Sequence, residues 1–133
     1  MAVQLHHVSL VTADPEVSAD FYQSVFQLKR LSRPPFEIEG VWLDCGPGLQ
    51  LHLTKHLSGN FRRRGVDNDD VHFAFRTDDF EGVLARLIKL GFREDAPDND
   101  VMKILVNRSG MAGFLQLYLM DPDRNIIEVN TAT

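Results

Sequence analysis

The chain has 133 residues, 44% hydrophobic and 25% charged, so it is large enough to bury a core and carries no signature of disorder. Its net charge of -5 and pI near 5.4 argue against a nucleic-acid surface, which needs clustered excess Lys and Arg. The single Cys45 excludes an internal disulfide and suits a reducing compartment, and no apolar run reads as a signal peptide or membrane span; a cytoplasmic protein is the expectation.

In chain order, residues 5–12 alternate as a half-buried strand, with Val8 and Leu10 on one face and His7, Ser9 and Val11 on the other. His6 and His7 therefore point to opposite faces. The run Thr12-Ala13-Asp14-Pro15-Glu16 combines capping residues, a first-turn proline and an N-terminal acid. It predicts a helix from about Pro15 to Phe26, with Val17, Phe21 and Val25 as the apolar stripe beside Tyr22 and Phe26. Three short strands are expected at 29–33, 40–45 and 49–54, separated by Pro34-Pro35 and Gly46-Pro47-Gly48. In the last, Leu49, Leu51 and Leu53 alternate with Gln50, His52 and Thr54, which puts His52 on a polar face.

Residues 55–70 read as a connector, whose basic run Arg62-Arg63-Arg64 is offset by Asp67, Asp69 and Asp70. The plan then restarts. An offset of 72 − 7 = 65 sets His72 over His7, Thr77 over Thr12, Asp79 over Asp14 and Glu81 over Glu16. A second strand at 71–75 leads to a helix over about 80–90, striped by Val83, Leu84, Leu87 and Ile88 and ended by Gly91. Further strands are expected at 92–94, 102–106, 114–120 and 125–130, the last two joined through Asp121-Pro122-Asp123-Arg124-Asn125. In the final strand Ile127 and Val129 face the core, and Ile126, Glu128 and Asn130 face away. The reading is an α+β fold of one domain over 1–133, built from two modules of strand, helix and three strands, at about 4–55 and 70–131.

Four possible ligands occupy equivalent places in these modules: His7 and His72 on the first strands, His52 and Glu128 on the last. If the modules pack about a pseudo-twofold axis, the four side chains can meet on the polar face. Imidazoles with one carboxylate suit Zn, Ni, Co, Mn or Fe(II), and the lack of thiolates argues against a structural zinc site. A histidine on a strand is, taken singly, more often a packing or surface residue; it is the joint placement that points to a metal. Glu128 is the one carboxylate of the set and hence the candidate base. If His52 stays unbound, His7, His72 and Glu128 form the facial triad of non-haem Fe(II) enzymes. His6 and His56 have no such counterparts and read as surface or packing residues. Arg76 shares the face of His72 and can meet an anionic group, while Trp42, Phe36, Phe114 and Tyr118 are candidates to line a substrate crevice.

Leu5-His6-His7-Val8-Ser9-Leu10-Val11, Asp20-Phe21-Tyr22, Gly48-Leu49-Gln50-Leu51-His52-Leu53, Val71-His72-Phe73-Ala74-Phe75, and Asp121-Pro122-Asp123 leading to Ile127-Glu128-Val129 resemble the vicinal oxygen chelate superfamily, and within it glyoxalase I-like proteins. The resemblance implies two βαβββ modules forming a cupped mixed sheet around one divalent metal. By position it assigns His7, His72 and Glu128 as ligands and His52 as the fourth, where glyoxalase I usually has glutamate. It further implies a lyase or isomerase acting on a small molecule with vicinal oxygens, with glutathione or another thiol as co-substrate, and a homodimer. Other members of the superfamily sequester drugs without a metal, or act as Fe(II) dioxygenases and epimerases.

Overall fold

The computed structural model describes residues 2–56, 62–110 and 112–132. The chain divides into two compact units, residues 1–61 and 62–133. Unit 1 holds β1 (His7–Thr12), α1 (Pro15–Phe26), β2 (Lys29–Leu31), β3 (Gly40–Asp44) and β4 (Gln50–Lys55). Unit 2 holds β5 (His72–Arg76), α2 (Phe80–Lys89), β6 (Leu105–Asn107), β7 (Gln116–Met120) and β8 (Ile126–Asn130). The α+β reading and the repeated order of strand, helix and three strands therefore hold.

Each unit forms one four-stranded mixed sheet, in the order β1-β4-β3-β2 in unit 1 and β5-β8-β7-β6 in unit 2. In both, the first strand lies parallel to the last and forms a sheet edge, while the remaining pairs are antiparallel. A parallel return needs a long crossover, and the helix with the two intervening strands supplies it.

Helix α1 starts where capping chemistry predicts. The Asp14 carboxylate accepts from the backbone N–H groups of Glu16 (3.0 Å) and Val17 (3.4 Å), and Pro15 opens the first turn. Asp14→Ala should destabilise the fold by about 1 kcal/mol, read in thermal unfolding. The buried stripe of α1 matches the expected one in part: Tyr22 and Val25 are fully buried, together with Ala19, whereas Val17 is 53% exposed. At 100° per residue Val17 lies some 200° around the helix from Ala19, so one helix face cannot carry both. In α2, Phe80, Val83, Leu84 and Leu87 are buried, but Ile88 is 56% exposed. Gly91, at φ +103°, follows the helix in the left-handed region that favours glycine.

The core of unit 1 continues from α1 onto β3 and β4, where the paired Val41 with Leu53 and Leu43 with Leu51 are all buried. In unit 2 the paired Leu117 with Val129 and Leu119 with Ile127 are fully buried. All five residues of β8 are buried, so its second face is covered too: Tyr118, Met120 and Ile126 pack with Val66, Val101 and Leu105. The strand expected at 92–94 is reduced to a single bridge between Arg93 and Lys103, and the strand expected at 102–106 is shifted to Leu105–Asn107.

The connector lies partly outside the described residues, at 57–61. Beyond them, Arg62 hydrogen-bonds Asp70, and Arg64 stands 3.7 Å from the same carboxylate. The Arg62 hydrogen bond holds the Asp70 carboxyl below its usual range.

Candidate metal centre

Strand register places two candidate ligands in each unit in the same way. Ser9 pairs with His52, and His7 stands two residues before Ser9; Ala74 pairs with Glu128, and His72 stands two residues before Ala74. Because paired residues share a face and alternate residues return to it, each pair sits diagonally on one face of a parallel ladder. Trp42 pairs with His52 as Tyr118 pairs with Glu128, at a common offset of 118 − 42 = 128 − 52 = 76. The repeat thus reaches the third strand, which the 65-residue offset could not show.

In unit 2, His72 Nδ1 is 2.8 Å from the Asp70 carbonyl oxygen, an acceptor only, so this nitrogen carries the hydrogen. Nε2 then faces Glu128 Oε1 at 3.4 Å. A lone pair set against a carboxylate oxygen would need a positive centre between the two atoms, which a proton on Nε2 supplies as well as a metal ion does. Imidazole fixed from behind by a carbonyl and aimed beside a carboxylate is what a divalent ion requires, and the pair fits one.

Glu128 is held by a ring of donors. Tyr118 Oη donates to Oε1 at 2.8 Å, and Asn130 Nδ2 donates to Oε2. Asn130 Oδ1 in turn accepts from Arg76 Nε at 3.1 Å, and the Arg76 guanidinium lies 5.9 Å above the Phe114 ring. Burial pushes the Glu128 carboxyl up, but hydrogen bonds from Asn130, Tyr118 and Gln116, with the nearby His72, bring it below the ordinary glutamate value. It is an anion at neutral pH. Burial, the hydrogen bond to Glu128 and its charge push the Tyr118 phenol up to about 12, which keeps it a donor.

In unit 1, His7 and His52 stack with ring centroids 4.1 Å apart, and His52 stacks on Trp42 at 4.2 Å. Gln50 Oε1 lies 2.8 Å from His52 Nε2. His6, read from sequence as a surface or packing residue, is exposed and has its Nδ1 2.9 Å from His7 Nδ1. It lies just before β1, where strand alternation no longer dictates its direction. Burial, then the neighbouring His7 and His6, lower the pKa of His52, so its ring is neutral at neutral pH. Among the described residues, neither unit by itself gathers three His, Cys, Asp or Glu side chains into a group that holds a metal.

Cys45 stands apart from this chemistry. Burial, with Asp44 adding, raises its thiol to about 11. At pH 8 about one thiol in a thousand is thiolate, so labelling by a disulfide reagent should be slow and rise about tenfold per pH unit until near 11. Rapid labelling of folded protein at pH 8 contradicts this.

The sequence profile of the Glyoxalase/Bleomycin resistance protein/Dioxygenase superfamily matches residues 4–129. The chain belongs to this superfamily. An Arabidopsis thaliana protein named Glyoxylase I 4 is 28% identical over 128 residues, which are 94% of this chain and 68% of that one. The superfamily fold recurs in a glyoxalase family protein from Bacillus anthracis, with a TM-score of 0.74 and 19% identity, over 100% of this chain and 98% of that one. It recurs also in the fosfomycin resistance protein FosX from Listeria monocytogenes, with a TM-score of 0.70 and 18% identity, over 100% and 94% of the two chains. At these identities the two structures speak for the superfamily fold alone. Among the described residues no helix is long and apolar enough to cross a membrane.

Proposed function

We propose that the protein is a divalent-metal-dependent enzyme of the glyoxalase I type, a lyase or isomerase acting on a small molecule with vicinal oxygens. The observation that carries the reading is His72 Nε2 facing the anionic Glu128 at 3.4 Å with Nδ1 already engaged. The same register in unit 1, which gives His7 the strand position that His72 has in unit 2, supports it. The ligands proposed are His7, His72 and Glu128, with His52 at the fourth position of the resemblance. One domain made of both units, a homodimer and a cytoplasmic setting complete the proposal.

A bound divalent ion would act as a Lewis acid on a substrate carbonyl. Glu128 is the candidate base: a carboxylate oxygen takes the proton from the carbon beside that carbonyl and returns it to the neighbouring carbon. Tyr118 remains protonated and steadies the carboxylate between the two transfers. Arg76, anchored on Asn130 and stacked over Phe114, would bind an anionic substrate group such as a carboxylate of glutathione or another thiol co-substrate. Trp42, Phe114 and Tyr118 are the aromatic side chains proposed to line the substrate crevice.

The test is metal analysis of untagged protein purified without added metal, followed by assay of hemithioacetal isomerisation with methylglyoxal and glutathione. Near-stoichiometric metal and turnover are expected. Wild type that holds no Zn, Ni, Co, Mn or Fe sinks the enzyme reading in favour of metal-free sequestration. A metal-loaded protein inactive on the hemithioacetal removes the glyoxalase I assignment and leaves the dioxygenase and epimerase chemistries of the superfamily.

A further inference from the structure

The rings of Trp42, His52 and His7 form a continuous stack across three adjacent strands, with interplanar angles of 6° and 14°. Phe36 extends it at 6.1 Å from Trp42, and the Arg33 guanidinium closes it 5.1 Å over Phe36. An imidazole binds an ion along a lone pair lying in its ring plane. The His7 and His52 planes, 14° apart with centroids 4.1 Å from each other, converge only roughly 15 Å away, against ~2 Å for a metal–nitrogen bond. Two rings so stacked do not share an ion. Gln50 also occupies one edge of His52: its Oε1 is an acceptor, so Nε2 at 2.8 Å carries the hydrogen and has no lone pair to give.

We infer that His52 is a positioning residue rather than a metal ligand: packed between Trp42 and His7, it fixes the plane in which His7 presents its nitrogen. The inference rests on the metal-dependent reading proposed above. Register explains the arrangement. Trp42 and His52 are directly paired, and Gln50 is paired with His7, so all four side chains share one face and Gln50 reaches His52 along its own strand. With His52 outside the coordination sphere, His7 would be the ligand that unit 1 offers.

Two variants separate the roles. His52→Phe keeps a flat ring between Trp42 and His7 but has no nitrogen, whereas His52→Ala removes the ring. In chelator competition, His52→Phe should hold Co(II) within about threefold of wild type and His52→Ala about tenfold more weakly, the range for residues that orient a ligand. Proton NMR of the Co(II) protein should show two shifted exchangeable ring N–H signals, from His7 and His72, in wild type and His52→Phe alike. A third signal in wild type that disappears in His52→Phe overturns the inference, as does His52→Phe failing to hold metal while folded by circular dichroism. In metal-free protein, the His7 ring protons should lie upfield in wild type and His52→Phe relative to His52→Ala, and identical positions in all three overturn it too. Wild type that takes up no Co(II) defeats the proposed function, while the metal-free spectra still decide whether His52 holds His7.

Discussion

Glu128→Ala is expected to lower divalent-metal affinity by more than about 100-fold, beyond the ~10–100-fold typical of losing a residue that only orients a ligand. The residue is 8% exposed and is the acceptor on which Tyr118 and Asn130 converge. Its removal deletes the one carboxylate facing His72 and leaves two donors without their partner, so a stability loss of about 1–3 kcal/mol should accompany the metal loss. Tyr118→Phe separates the two effects: the carboxylate stays, one donor goes, and affinity should fall by about 10–100-fold. Chelator competition gives the affinities and thermal unfolding the stabilities. Equal metal affinity in wild type and Glu128→Ala would remove Glu128 from the coordination sphere.

Ile127→Ala should cost about 3–4 kcal/mol of folding stability, within the range for emptying a well-packed aliphatic site. Ile127 is fully buried beside Leu119 on β8, the strand paired with both β5 and β7, so neighbours on either side restrict collapse into the cavity. For a chain of this size that amounts to a fall in melting temperature of about 10–15 °C. Val17→Ala, on the solvent side of α1, should change stability by less than about 0.5 kcal/mol. Similar melting temperatures for the two variants would contradict the burial described for β8.

The sequence was most legible where local chemistry decides the outcome. The start of α1 follows from Asp14 and Pro15, and the order of strand, helix and three strands follows from alternation and turn residues. The side of α1 that is buried was legible only in part: Tyr22 and Val25 were named, but Val17 is as apolar as Val25 and tertiary packing chooses between them. Around the candidate site, phase placed His7, His52, His72 and Glu128 on the faces that the register gives them. Gln50 and Asn130 were placed on the same faces but given no role: both stand two residues from a singled-out residue, and that spacing was the available signal. The Asp70 carbonyl that holds His72 is backbone, which residue identity cannot announce. The stacking of His7 on His52 was likewise hidden, because alternation gives a face but no ring angle.

Both candidate ligand pairs lie across the parallel pairing that closes each sheet, and this has a consequence for how the protein reaches its native state. The first paired residues are 50 − 7 = 43 apart in unit 1 and 126 − 72 = 54 apart in unit 2, whereas β7 and β8 meet through a short turn. Chain closure over such spans carries a larger entropy cost and slows folding, so hairpins form before the parallel ladders. His7 therefore meets His52, and His72 meets Glu128, only at the final closure of each sheet. A nascent chain holds neither pair until nearly the whole of its unit has been synthesised, so the metal uptake proposed for this protein would follow closure of the sheets rather than nucleate it.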